Sequence, residues 1–344
     1  MYSVDPYLLI YLTAAFVIII LCLVLCIIGM IGRKKHVLQR NKRLADQLSD
    51  WLAEIILEET KPSGKQEEIS VPADIQILLS EKAALHVVLN ELTAMRKKLK
   101  GSAAINLEQL YVQLRLDQLS LKKLQSRRWH IVAKGIQELT EMKQEQHLEK
   151  VHHFVNHSNQ YVRMEAQTGL VQCWGFDGLQ FLDFINYPLV EWQQLQLLQL
   201  LSNHRETKNT PINSWLKSSN DSVVSFALKL VKEQWDAIHF EAVVRCLSHK
   251  SQAINMQAVQ CLGAIDNASA VKVLVAHYAG CSEKVRECII RVLQKIGTKE
   301  DLHMIMQKYA GEDRITSIEC LKWLHIIQQS DILDRKRVDF ARAW

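Results

Sequence analysis

Val223-Val-Ser-Phe-Ala227, Ile254-Asn-Met-Gln-Ala258, Val285-Arg-Glu-Cys-Ile289 and Thr316-Ser-Ile-Glu-Cys320 start 31 residues apart each time. Eight residues after these starts stand Val231, Leu262, Leu293 and Leu324, and eleven after the last three stand Ile265, Ile296 and Ile327. Offsets of 0, 4, 8 and 11 mark one face of an α-helix. A second ladder at the same spacing runs through Val243, Leu274 and Ile305, and through Leu247, Tyr278 and Tyr309. Turn-forming stretches lie between the ladders: Asp266-Asn267-Ala268-Ser269, Gly280-Cys281-Ser282, Gly297-Thr298-Lys299 and Gly311-Glu312-Asp313. Helix, turn, helix, turn at a fixed period of this size predicts stacked helix pairs, each too small to bury a core alone.

The ladder continues upstream in weaker form. Gln193, Leu197 and Leu201 carry it, then Val162, Ala166 and Leu170, then Ile131, Gly135 and Leu139. Repeats therefore occupy 127–333, about six units, and 334–344 is a basic tail ending in Trp344. Before them, Asn106–Ser126 and Ala73–Lys100 read as helices that cap the array over 73–126. Asn106 with Gln109 resembles a capping box. The cluster Arg96-Lys97-Lys98-Lys100 suits a helix C-terminus. Residues 61–72, Lys61 to Pro72, are polar and aperiodic with two prolines, and are expected to act as a hinge.

Leu8 to Ile31 is an apolar run of 24 residues without charge. As a helix it spans roughly 36 Å, against a bilayer core of about 30 Å. Tyr7 and Tyr11 lie where interfacial aromatics sit. A cleaved signal peptide would show a basic n-region, a shorter run and a small-x-small site; residues 1–7 carry Asp5 and no Lys or Arg. The 8–31 segment is thus expected to be an uncleaved transmembrane helix. Arg33, Lys34, Lys35, Arg40, Lys42 and Arg43 follow it, and the first acid is Asp46. Basic residues stay on the cytoplasmic side, so 1–7 is expected outside and everything after the span in the cytoplasm, at the inner membrane. The basic flank serves either as a topology determinant alone or also as a contact for anionic head groups.

Residues 32–60 combine that flank with an amphipathic helix. Val37, Leu44 and Trp51 fall seven apart, with Leu48 and Ile55 between and after them. This short a/d-like seam either packs on the protein's own domain or pairs two copies weakly through residues 37–57.

Composition narrows the class. The chain has 344 residues, 48% of them hydrophobic, which excludes wholesale disorder. Only 12 Gly and 5 Pro favour an all-α fold. The 8 Cys show no C-x-x-C pairing and suit buried thiols in a reducing compartment. A net charge of +5 is mild, and residues 127–344 carry 26 basic against 24 acidic side chains, too balanced for a phosphate-tracking groove. No phosphate loop, dinucleotide fingerprint or nucleophile elbow is present.

The pattern resembles the HEAT-repeat family in its short bacterial form. The resemblance rests on Tyr161-Val162-Arg163-Met164-Glu165-Ala166, on Lys284-Val285-Arg286-Glu287-Cys288-Ile289 and on the ladder, and covers roughly 127 to 330. Val224, Asn255 and Ser317 stand where Arg163 and Arg286 stand in their own units. The resemblance implies a right-handed α-solenoid of helix pairs with a ~31-residue period behind a single transmembrane helix. Membrane-anchored chains that resemble this one occur in Bacteroidetes-type bacteria beside polysaccharide-synthesising glycosyltransferases. HEAT-like hydroxylases bind iron through repeated His-Glu pairs; the 13 His here form none. His152-His153 point about 100° apart on a helix and chelate poorly, and His239-Phe240-Glu241 lacks a partner motif. HEAT-like enzymes of lyase or DNA-glycosylase type remain the alternative.

A solenoid binds through its concave face, lined by the second helix of each unit. Trp235, Arg245, His277, Tyr278, Lys308 and Tyr309 fall there, and Tyr, Trp and Arg are enriched at binding hot spots. The tyrosines also recur at the repeat period, so a structural role competes. The expectation is a membrane-anchored scaffold holding a protein partner, with no catalytic residues, no cofactor, no metal and no nucleic acid.

Overall fold

A computed structural model describes residues 6–57, 69–202, 211–234, 237–265, 269–298 and 300–301. The described residues form helices and turns, with no strand among them. The chain divides into two compact units, Met1–Glu149 and Lys150–Trp344.

The first unit is built on α1 (Pro6–Leu57), a single helix of 52 residues. At 1.5 Å per residue it is about 78 Å long. It is followed by α2 (Ala73–Leu79), α3 (Lys82–Arg96), α4 (Ser102–Gln113), α5 (Leu116–Leu124) and α6 (Trp129–Glu141). From Ala15 onward, α1 includes a stretch long and apolar enough to cross a membrane, none of it buried in the protein. The helix continues through the basic flank without a break. Its far end then turns its seam inward: Leu44, Leu48, Trp51, Leu52 and Ile55 are buried in one cluster with residues of α3 and α4. The seam is filled within the chain. Within residues 37–57 the large hydrophobics left exposed are Val37 and Leu38 at one end and Leu57 at the other.

This placement also changes the role of 61–72. Residues 58–68 lie outside the described residues, but the segment joins two parts of one core, α1 and α2, rather than separating an anchor from a domain. At its end Ile69 is pinned to α4 by both of its backbone groups: its N–H donates to Gln113 Oε1 at 2.9 Å, and Gln113 Nε2 donates to its carbonyl at 2.8 Å.

Two helices read as continuous are divided. The 73–100 helix breaks at Ser80–Glu81, between α2 and α3. The 106–126 helix breaks at Arg115, which adopts a left-handed conformation at φ 52°. No Gly or Pro marks either break. Burial of Leu79 and Val87 on one side, and of Tyr111 and Leu116 on the other, overrides the local helical preference. Asn106 does not cap a helix. It lies within α4, buried, and its Nδ2 donates to the Ile55 carbonyl of α1 at 2.9 Å.

Behind this core lies a buried polar chain. Tyr111 donates to Ser120 Oγ at 2.9 Å, and Ser120 donates to Glu138 Oε2 at 2.7 Å. Lys123 Nζ meets both Glu138 oxygens, at 2.5 and 2.7 Å. Glu138 is 0% exposed, so its charge depends on these partners. The close approach of α5 and α6 that permits this explains Gly135: a Cβ there would lie 2.8 Å from the Ser120 carbonyl oxygen.

Helix α7 (Leu148–His152) begins at the boundary, and the second unit continues with α8 (Gln160–Trp174), α9 (Glu191–Leu201), α10 (Ile212–Trp215), α11 (Asp221–Gln234), α12 (Phe240–Cys246), α13 (Gln252–Leu262), α14 (Ser269–His277) and α15 (Glu283–Ile296). A 3-10 stretch, Gly175–Asp183, packs on α8. Asn159 starts α8 by accepting from the Tyr161 and Val162 N–H groups. Helix α13 lies between α11 and α15, with α12 against α13 and α14 against α15. Val223, Ala227 and Val231, then Ile254, Ala258 and Leu262, then Val285, Ile289 and Leu293 are all buried. The fourth copy, from Thr316, falls outside the described residues.

Candidate functional site

Among the described residues a basic surface on α1 stands out. Residues 32–43 of α1 form a bare segment between the apolar stretch and the first buried seam residue, with only Asn41 partly covered. Arg33, Lys34, Lys35, Arg40, Lys42 and Arg43 all lie on it, exposed. Arg40 is tied to Glu81 at 2.5 Å. Among the described residues the other five make no hydrogen bond or ion pair within the protein. Where this segment meets α3, a groove of about 410 Å³ is lined by Leu38, Asn41, Lys42 and Ala45 on one side and Val87, Asn90 and Glu91 on the other. Lys134 donates to Asn90 Oδ1 at 2.5 Å at its edge.

The six side chains expected to line a binding face fare differently. Arg245 is exposed at the end of α12. His277 is half-buried, and its Nε2 lies 3.0 Å from the Leu247 carbonyl oxygen, one repeat earlier. Tyr278 is 1% exposed, which corrects its reading as a surface anchor: its ring lies under the Arg286 guanidinium, 5.8 Å from centroid to Cζ. A side chain that recurs at the period is one that packing selects, and packing removes it from partners. Trp235, Lys308 and Tyr309 lie outside the described residues.

The arginines that carry the family resemblance have a structural use. Arg163 donates to the His157 and Ser158 carbonyls at 2.8 and 2.9 Å and sits 3.8 Å over the Tyr187 ring. Arg286 donates to the Cys281 carbonyl at 3.0 Å. Each ties the turn before its helix to the helix itself.

The ladder placed Gln193 on a buried face but did not anticipate the exposed side chains beside it. Helix α9 buries Gln193 and Gln194 and exposes Trp192, at 62%, and Leu195. Gln193 Nε2 donates to Gln167 Oε1, and Gln194 Nε2 donates to the Leu189 carbonyl at 3.0 Å while its Oε1 accepts from Lys229 at 2.9 Å. Two adjacent glutamines flanked by Trp and Leu were the available signal, because a buried amide must bring its partners with it.

Burial shifts several titratable groups. Burial pushes the Cys246 thiol up to about 11 and the Cys261 thiol up to about 12, and raises those of Cys281 and Cys288. Such thiols are protonated near neutrality and are poor nucleophiles. Burial also lowers the pKa of His152, whose ring packs against Phe184. Among the described residues no three His, Cys, Asp or Glu side chains gather in a way that could hold a metal ion.

Among known protein families none matches the chain, and no curated protein does. Loose structural likenesses exist. One is to human deoxyhypusine hydroxylase in complex with glycerol, at 15% identity and a TM-score of 0.31, covering 84% of this chain and 98% of that one. Another is to an engineered protein at 15% identity and a TM-score of 0.32, covering 72% and 76%. A second engineered protein aligns at 14% identity and 0.27, covering 75% and 98%. Superpositions this loose say nothing about activity.

Proposed function

We propose that this chain is a single-pass membrane protein whose cytoplasmic helical part, a solenoid of HEAT-like pairs, holds a protein partner close to the membrane. The observation that carries this reading is the continuity of α1: one helix supplies both the apolar stretch and the first layer of a helical core. The basic flank supports a cytoplasmic position for everything beyond residue 32. A repeating stack is supported by polar bonds between neighbouring layers at nearly constant separation. Cys246 reaches the Leu216 carbonyl 30 residues back, and His277 lies on that of Leu247, also 30 back. Gln257 reaches Ser225 and Cys288 reaches Met256, each 32 back. Confinement at a surface raises the effective concentration of a tethered binder without new contacts. Arg245 and the exposed Trp192 are the side chains offered to the partner. The family resemblance makes a polysaccharide-synthesising glycosyltransferase system the first partner to try.

Crosslinking and affinity capture of the full-length protein from its native membranes tests this. One specific protein should be enriched by the native chain and lost with Arg245→Ala or Trp192→Ala. Recovery of no specific protein, or tight binding of duplex DNA with a steep salt slope, overturns the scaffold reading in favour of an enzyme.

A further inference from the structure

The basic flank has a geometry that a topology signal does not require. Along a helix that turns 100° per residue, Arg33, Lys34, Lys35, Arg40, Lys42 and Arg43 spread around the full circumference, leaving no sector wider than about 100°. That widest sector lies along the line of Val37, Leu44 and Leu48, the side that faces the core lower down. A docked protein touches one side of a helix. A lipid leaflet surrounds it.

Height along α1 sorts the charges into two tiers. Arg33, Lys34 and Lys35 follow the last apolar residue, Ile31, by about 3–6 Å, level with a head-group layer some 5–7 Å deep. Arg40, Lys42 and Arg43 lie roughly 14–18 Å beyond Ile31, where only the screened field of the surface reaches them. Arg40 is further committed to Glu81. The upper tier has no protein partner among the described residues, and α1 carries no acid before Asp46 to neutralise it.

We propose that Arg33, Lys34 and Lys35 form an inner tier that selects anionic phospholipid head groups of the cytoplasmic leaflet, with Lys42 and Arg43 as a weaker outer tier. Three unpaired cations at head-group depth span about 200° of the circumference, so each faces a different neighbouring lipid phosphate, and the outer tier fills most of the remaining sector. The proposal rests on α1 spanning the membrane, and the experiment separates the two.

The full-length protein is reconstituted into phosphatidylcholine vesicles containing a trace of spin-labelled phosphatidylglycerol or spin-labelled phosphatidylcholine, and the immobilised fraction of each label is measured. The native protein should immobilise phosphatidylglycerol several-fold in excess, roughly fivefold for each charge in contact. High salt and the R33Q/K34Q/K35Q variant should each bring the ratio close to one, while K42Q/R43Q lowers it less. The triple variant keeps Arg40, Lys42 and Arg43 to set orientation. Equal immobilisation of both labels by the native protein overturns the lipid proposal and leaves the anchor standing, whether the inner tier then serves insertion alone or a protein. Immobilisation of neither label shows that α1 is not in the bilayer and overturns both.

Discussion

Truncating Leu48 to alanine asks whether the seam on α1 belongs to the chain's own core or to a second copy. Leu48 is 0% exposed and sits in the cluster that α1 forms with α3 and α4, where Leu44, Trp51 and Leu52 are its neighbours on the same helix face. Leu→Ala at such a site removes buried methyl groups and leaves a space that relaxes only in part, at a cost of about 2–5 kcal/mol. For a unit of this size, each kcal/mol lowers Tm by roughly 2–4 °C, so a loss near 3 kcal/mol gives about 6–12 °C. The assay is thermal unfolding of the full-length protein in mild detergent, followed by tryptophan fluorescence; Trp51 lies in the same cluster and reports its opening. Val37→Ala is the control, because that residue begins the same seam but is 59% exposed, and its truncation should change stability by about 0.5 kcal/mol or less. An intrachain core makes the Leu48→Ala shift the same at low and high protein concentration. A shift that vanished on dilution, or a Leu48→Ala variant as stable as the native protein, would refute the placement of α1 in the core.

The buried carboxylate gives a second test. Lys123→Met strands the Glu138 charge with Ser120 alone, and should destabilise the first unit by about 3–5 kcal/mol in denaturant unfolding; adding Glu138→Gln removes the charge and should recover part of that loss. Thiol chemistry gives a third. Burial holds Cys261 protonated up to about 12 in the folded state, against 9.0 when unfolded. It should resist iodoacetamide at pH 8 until the chain is denatured. The unfolded state releases this proton first, so the group's contribution to stability is intact below pH 9 and declines as pH rises toward 12.

How much of this was legible depended on which physics wrote each residue. The ladder positions were visible because helical periodicity and burial coincide: Val223, Ile254 and Val285 are buried as their spacing predicts. Ile296, by contrast, keeps 36% exposure at the end of α15, where the layer that would follow lies beyond the described residues. The seam of α1 was visible, but its destination was not, because a stripe of Leu and Trp says that something covers it without saying what. The breaks at Ser80 and Arg115 carried no Gly or Pro signal; tertiary packing imposed them. Gln193 held a ladder position and is buried there, whereas Gln194 was obscured for the opposite reason, since a polar side chain reads as surface until its buried partners are known. Tyr278 was placed on the surface by its chemistry and removed from it by its periodicity.

The unbroken course of α1 between Ile31 and Leu44 fixes a phase as well as a distance. A rigid helix transmits rotation, so each residue added between positions 32 and 43 would move the helical core about 1.5 Å further from the apolar stretch and turn it by about 100°. Seven added residues would restore nearly the same facing at a height about 10 Å greater, while three or four would add about 4.5 or 6 Å and turn the facing by about 60° one way or 40° the other. The direction in which the helical core presents its surface is therefore a property of chain length in a segment that touches almost nothing.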